Sequence, residues 1–165
     1  MTEFHPHNDA TSENREEFWD RLEDCRTGMM EVDKGFVPMT HNLEPEDGNI
    51  WFLTAHGTAM AEAAAAGAAT RYIVCNDAES VYATIEGQLS VSTDKAKLDE
   101  VWNVMASAWY EEGKEDPDLV LVKLRPSQAE VWLGPESGVK FLFSVAKAKL
   151  TGDEPDMGSH FKLAF

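Results

Sequence analysis

The chain has 165 residues, 43% of them hydrophobic, and a formal net charge of −16 from 30 acidic and 14 basic side chains. This length fits one domain with a sizeable core. The charge excludes nucleic acid and anionic membrane surfaces as partners, because both require clustered Lys and Arg, and no apolar run is long enough to cross a membrane.

Residues 1–11 are polar and lack the basic start and apolar block of a signal peptide, so we expect a flexible leader on a cytoplasmic protein, with residues 12–165 as a single domain. His5 and His7 lie in this leader without a third ligand, and no metal site is predicted. Cys25 and Cys75 lie in apolar-patterned segments without a CxxC partner. We therefore interpret both as reduced thiols of the core.

The first helix is predicted from Ser12, because apolar side chains recur at i, i+4 and i+7 from Phe18 while acidic residues take the other face. Two short strands follow, 27–32 and 35–40, and the turn between them is of hairpin type. Pro38 cannot donate to a ladder, which places it at an edge or a bulge.

Residues 50–67 predict a strand, a tight turn and an alanine-rich helix. Thr58 is the expected N-cap and Gly67 the expected C-terminal stop. A helix start aimed at a strand end is by default an anion site, since free N–H groups converge there. The alternative is a turn with a structural role only. No Lys or Arg occurs between residues 35 and 70.

Strands are also predicted at 70–75 and 81–91, and the second alternates with a period of two, with a bend at Gly87. Asp94 is expected to start a helix. Its predicted apolar stripe consists of Leu98, Val101, Trp102, Met105 and Trp109.

The remaining chain predicts two strands, 119–124 and 129–133, on either side of Pro126. A last strand or an extended arm is expected near 139–148, followed by a mostly polar tail with an apolar tip over 152–165.

About seven strands with tight turns, and helices inserted at only three places, favour an antiparallel barrel with peripheral helices. Motifs of the GxSxG, GxxxxGK, HExxH and GxGxxG types do not occur. The residues alone therefore predict an acidic, barrel-like domain with one anion pocket.

An ordered set of short motifs resembles the general stress protein 26 family, one of the pyridoxamine 5'-phosphate oxidase-like flavin-binding proteins. The motifs are Phe18-Trp19, Gly28-Met29-Met30, Pro38-Met39, Trp51-Phe52-Leu53-Thr54, Gly87, Val101-Trp102, Ala108-Trp109-Tyr110, residues 116–121 and 129–132, and the tail 158–163. The resemblance implies a mainly β (α+β) fold, a six-stranded antiparallel split β-barrel with peripheral helices. It also implies a homodimer with two FMN sites at the subunit interface.

The resemblance also implies which residues bind the cofactor. They are Val37, Met39, Leu53, Thr54, Thr58, Ala59, Met60, Tyr82 and Trp132, the last contributed across the dimer interface. The family has an arginine where this chain has Val37 and a lysine where it has Met60. Those cations hold the FMN phosphate in the family, so their loss weakens the expected phosphate contacts.

Three functions are therefore compatible with the sequence. The first is a flavin-dependent oxidoreductase using FMN or FAD, whose acid, base or nucleophile cannot be assigned from sequence because much of the chemistry belongs to the cofactor. The second is a flavin-free or weakly flavin-binding, non-catalytic dimer that binds a small ligand on the same scaffold. The third is a structural or partner-binding dimer.

Overall fold

The computed structural model describes residues 8–44, 46–135, 142, 145–147, 149, 150, 152 and 158–165. Its strands are β1 (Asn8–Asp9), β2 (Thr27–Val32), β3 (Gly35–Glu44), β4 (Asn49–Ala55), β5 (Ala69–Asn76), β6 (Val81–Ser92), β7 (Leu119–Leu133) and β8 (Ser159–Ala164). Its helices are α1 (Ser12–Asp24), α2 (Ala59–Ala65), α3 (Lys95–Val101) and α4 (Val104–Ser107), with a 3₁₀ turn at Gly113–Glu115. None of these helices is long and apolar enough to span a membrane.

Strands β2 to β7 close into an antiparallel barrel in the order β7-β4-β3-β2-β5-β6, and β6 returns to pair with β7. Strand β7 pairs with β6 on one side and, on the other, first with β4 through residues 119–124 and then with β8 through residues 128–133. The change of partner along β7 splits the barrel. The predicted six-stranded antiparallel split barrel is confirmed.

The core fills the barrel and continues under two helices. Helix α2 contributes Met60, Ala61 and Ala64, while α1 contributes the buried side chains of Phe18 and Leu22. Burial of each large apolar side chain stabilises the fold by about 1.5–3 kcal/mol. Helix α2 is therefore anchored by its apolar face, and its start is fixed relative to β4.

The predicted β2–β3 hairpin is present, and its register places Val32 opposite Gly35. Pro38 lies opposite Met29, and the ladder with β4 begins only at His41, so Pro38 lies on a part of β3 that β4 does not cover. This matches the expected edge position, because proline has no N–H to donate.

Gly87 marks the predicted bend, and the β6–β7 register shifts between Glu86 and Gly87. A Cβ atom at Gly87 would lie 2.3 Å from the carbonyl oxygen of Arg125. The missing side chain thus lets two strands approach closely where the barrel wall bends.

Helix α1 begins as predicted, with Thr11 as its N-cap and Asn14 completing a capping box. Asn8 and Asp9, within the segment expected to be a leader, pair in parallel with β8. His5 and His7 lie outside the described residues.

A helix starts after Asp94 as predicted, with the Asp94 side chain as its N-cap, but its predicted extent to Trp109 is wrong. Helix α3 ends at Val101 and α4 starts at Val104, so the predicted stripe is interrupted, and Trp109 is 80% exposed instead of buried. The side chain of Asn103 caps the second piece by accepting a hydrogen bond from the Ala106 amide at 3.0 Å. Asn in this position favours a new helix start over continuation of the first.

Two strand assignments near the end of the chain also need correction. The segments expected on either side of Pro126 form one strand, β7, because the bulge beside Gly87 accommodates the proline. The predicted polar tail contains β8, whose buried Phe161 and Leu163 alternate with outward residues. The expected arm at 139–148 lies largely outside the described residues, and those described there (142, 145–147) have helical backbone.

The two cysteines differ. Cys25 is a buried free thiol, as predicted, and burial raises its pKa to about 11. Cys75 is exposed, so its assignment to the core is wrong. It lies on the outward face of β5, opposite Tyr82 of β6, and an alternating strand presents every second residue to solvent.

Candidate functional site

The turn between β4 and α2 has the predicted capping geometry. Thr58 has an extended backbone, with φ −80° and ψ 153°, and its hydroxyl accepts a hydrogen bond from the Ala61 amide at 3.1 Å. Gly67 ends the helix with φ +61°, a conformation that glycine adopts without strain. The N-cap and the helix stop are therefore both confirmed.

Two threonine hydroxyls lie together at this turn. The Oγ1 atoms of Thr54 and Thr58 are 2.9 Å apart, and the Thr58 hydroxyl donates to the Ala55 carbonyl at 2.9 Å. Since a hydroxyl has one proton, Thr54 donates to Thr58, and neither hydroxyl keeps a proton for an anion. In the described part of the chain, the amides of Ala59 and Met60 have no acceptor and can donate to a ligand.

Met60 lies in the barrel core and is only 2% exposed. The sequence leaves two positions open for it, the floor of a ligand pocket or the core, and its packing in the monomer is that of a core residue. Ala59, one residue earlier, is exposed. At the start of α2, the residue that a ligand can reach is therefore Ala59.

The remaining predicted residues of β3 and β4 lie on different faces. Val37 and Met39 of β3 are partly buried against the main core. Thr54 is 9% exposed, whereas Leu53, its neighbour on β4, packs with Trp51 and the α3 residues of a second cluster. Successive side chains of a strand point to opposite faces, so the side chains of Leu53 and Thr54 do not line one common wall.

Tyr82 and Trp132 lie elsewhere on the barrel. They are direct register partners on β6 and β7, and the next residue across, on β8, is His160. The rings of Trp132 and His160 stack, with centroids 4.5 Å apart and planes at 11°. The Tyr82 hydroxyl donates to an Asp77 carboxylate oxygen at 3.1 Å, and this hydrogen bond is the main reason that the pKa of Tyr82 is raised.

Sequence reasoning missed His160 and its partner Glu130. The Nε2–H of His160 donates to the Glu130 carboxylate at 3.0 Å, which fixes the plane of the imidazole. The signal was present, because Ser159–Ala164 alternates polar and apolar residues with the period of a strand.

A buried histidine, His41, lies on the same strand as Val37 and Met39. Its Nε2 donates to the Leu22 carbonyl and its Nδ1 is 2.8 Å from the Tyr72 hydroxyl. Desolvation lowers the pKa of His41. The neutral ring therefore joins the end of α1 to the barrel, and this contact is structural.

Comparison with known proteins defines the class. Residues 13–156 match the family described as pyridoxamine 5'-phosphate oxidase like. The chain belongs to this family, and the split barrel is the fold expected for it. No functionally curated protein matches the sequence.

The solved structures make the comparison more specific. A general stress protein 26 from Jannaschia sp. CCS1 is 40% identical, with a TM-score of 0.87, covering 94% of this chain and 100% of that one. A general stress FMN/FAD binding protein from Xanthomonas citri is 35% identical, with a TM-score of 0.69, covering 77% and 93%. A general stress family protein from Xanthomonas campestris pv. campestris is 33% identical, with a TM-score of 0.68, covering 78% and 92%. Within its family, the chain is thus similar to the general stress proteins.

The β4–α2 turn and the outer face at Trp132 suit different parts of a flavin. The β4–α2 turn offers backbone donors but no hydroxyl proton, and the segment from residue 35 to 70 has no cation for a phosphate. The outer face at Trp132 instead offers a flat aromatic surface, which suits a planar ring. The arrangement therefore fits the ring of a flavin better than its phosphate.

Proposed function

We propose that this chain is a flavin-binding protein of the general stress type that acts as a cytoplasmic homodimer and carries out an oxidoreduction. One subunit contributes the β4–α2 turn, with Thr54, Thr58 and Ala59. The other contributes Trp132 and Tyr82. When bound, the flavin supplies the redox chemistry, while the protein binds and orients it.

The observation that carries the proposal is the separation of the predicted residues within one chain. Leu53 lies opposite Leu121 of β7, and Trp132 lies eleven residues further along that strand. At about 3.3 Å per residue these eleven residues have a contour length of roughly 35 Å, so one flavin ring would have to reach along most of β7 to contact both groups. A site that uses both groups needs a second copy of the chain, in which Trp132 approaches the turn of its partner.

Two further observations support it. The Xanthomonas citri relative, described as an FMN/FAD binding protein, is 35% identical and covers 77% of this chain. The two cysteines are both free thiols, which fits a reducing compartment.

The second candidate is a flavin-free, non-catalytic dimer that binds a small apolar ligand. The position of Met60 favours it, because the residue at the family's lysine position is buried in the core and cannot contact a phosphate. Val37 likewise offers no charge at the family's arginine position.

The test is to purify the protein without added cofactor, denature it and identify any released flavin by chromatography, with sedimentation of the native protein in parallel. The proposal predicts a dimer that releases FMN or FAD, or an apo-dimer that binds one of them on titration. A dimer that binds neither would support the second candidate. A protein that sediments only as a monomer would contradict both.

A further inference from the structure

Three ring-bearing residues form a row across the outer face of neighbouring strands. Tyr82 of β6, Trp132 of β7 and His160 of β8 are direct register partners. Side chains paired in this way have Cβ atoms about 4.5–5.5 Å apart and interact. The middle residue, Trp132, has one ring face covered by the imidazole of His160.

Hydrogen bonds hold both ends of the row. The His160 Nε2–H donates to Glu130, which lies two residues before Trp132 on the same face of β7. The side chain of His160 is only 10% exposed. At the other end, the Tyr82 hydroxyl donates to Asp77. The imidazole plane is therefore fixed, and a nearly parallel stack transfers that orientation to the indole.

We propose that His160 is a positioning residue for Trp132. Held by Glu130, it keeps the indole in one orientation, so that Trp132 presents a preformed face to the planar aromatic ring of a ligand seated on the partner subunit. This inference rests on the proposed function, in which Trp132 closes the site of the other copy. An indole fixed before binding loses little rotational freedom when the ligand arrives, which favours affinity.

The test compares His160→Ala with His160→Phe, which keeps a ring for the stack. Glu130→Ala removes the hydrogen bond alone, and Lys95→Ala, at an exposed position of α3, is the surface control. Two quantities are measured on the dimer: the dissociation constant for FMN, and the ¹⁵N heteronuclear NOE of the Trp132 indole, assigned with Trp132→Phe. The NOE reports how rigid the indole is and needs no flavin.

His160→Ala should lower the NOE and weaken FMN binding about 3- to 10-fold, the range expected for one lost aromatic contact. Glu130→Ala should lower the NOE to a lesser extent. His160→Phe keeps a ring for the stack but cannot bond to Glu130, so it should lower the NOE about as much as Glu130→Ala does. Lys95→Ala should leave both quantities close to the wild-type values.

The outcomes separate the positioning role from the proposed function. An unchanged NOE in folded His160→Ala or Glu130→Ala protein overturns the positioning role, whether or not flavin binds. If His160→Ala does not fold, the other two variants give the answer, because an unchanged NOE in both Glu130→Ala and His160→Phe overturns the positioning role. If the wild type binds neither FMN nor FAD but the NOE falls as expected, the positioning role stands and the flavin function fails.

Discussion

Replacing Met60 with lysine should destabilise the protein, although it restores the residue that the family uses to hold the flavin phosphate. Met60 is 2% exposed and packs in the barrel core. A lysine buried there must enter the core uncharged, because an unpaired ammonium group is poorly solvated by apolar neighbours.

The expected cost follows from the pKa of the new side chain. A lysine in the unfolded chain has a pKa of about 10.4, whereas a fully buried lysine has a pKa of about 5–6. Removing its proton at pH 7 costs about 4–5 kcal/mol, a large part of a typical stability of about 5–15 kcal/mol. For a chain of this size, the melting temperature should fall by about 8–20 °C.

Thermal unfolding followed by circular dichroism, at fixed protein concentration, measures this cost. Met60→Leu is the matched control and should cost less than about 1.5 kcal/mol, because it keeps the volume and the apolar character. The unfolded chain binds the extra proton, so the loss of stability in Met60→Lys should become smaller as pH rises from 7 towards 10.

Val37→Arg, at a partly exposed position, should be tolerated and should improve FMN binding about tenfold or more if the new cation reaches the phosphate.

A Met60→Lys protein as stable as the wild type at pH 7, with tighter FMN binding, would refute this reasoning. It would mean that Met60 leaves the core when the flavin binds.

Three further expectations test other parts of the structure. Thr58→Ala should lower the free energy of unfolding by about 1 kcal/mol, because it removes the N-cap of α2. Thr58→Ser should keep most of the stabilisation by the cap, and urea denaturation measures both variants. Burial lowers the pKa of His41, so the unfolded chain binds a proton at this residue before the folded protein does. The stability of the wild type relative to His41→Gln should therefore be constant above about pH 6.5 and decrease as the pH falls below it. Stability that depends on pH in the same way in both proteins would contradict this. In native protein, iodoacetamide should label exposed Cys75 and spare Cys25, whose burial raises its pKa to about 11; Cys75→Ser protein that is labelled before unfolding would refute the assignment.

The fold could be predicted wherever local pattern and tertiary packing agree. The alternation along Val81–Ser92 and the cap at Thr58 depend on nearest neighbours, and both appear as expected. The stripe through Trp109 failed because Asn103 offers a local cap that ends one helix and starts another. Helical spacing alone cannot reveal such a competing hydrogen bond.

The candidate site was less predictable, because its geometry depends on which strands become neighbours. His160 is 28 residues beyond Trp132 in sequence and meets it only through β7–β8 pairing. The sequence allows Met60 to lie either in a pocket or in the core. The orientation of α2 on the barrel places it in the core. Neither fact is contained in a local motif.

If two subunits together complete one flavin site, two defective dimers should complement each other. Ala59→Glu places a negative charge at the exposed start of α2, and Trp132→Ala removes the partner's ring. Each variant alone should bind flavin poorly. After the two are mixed, unfolded and refolded together, half of the dimers should be mixed, and each mixed dimer should have one intact site, restoring about a quarter of the wild-type binding capacity. Flavin titration that shows no restored high-affinity sites, in mixed dimers verified by native mass spectrometry, would contradict the shared site.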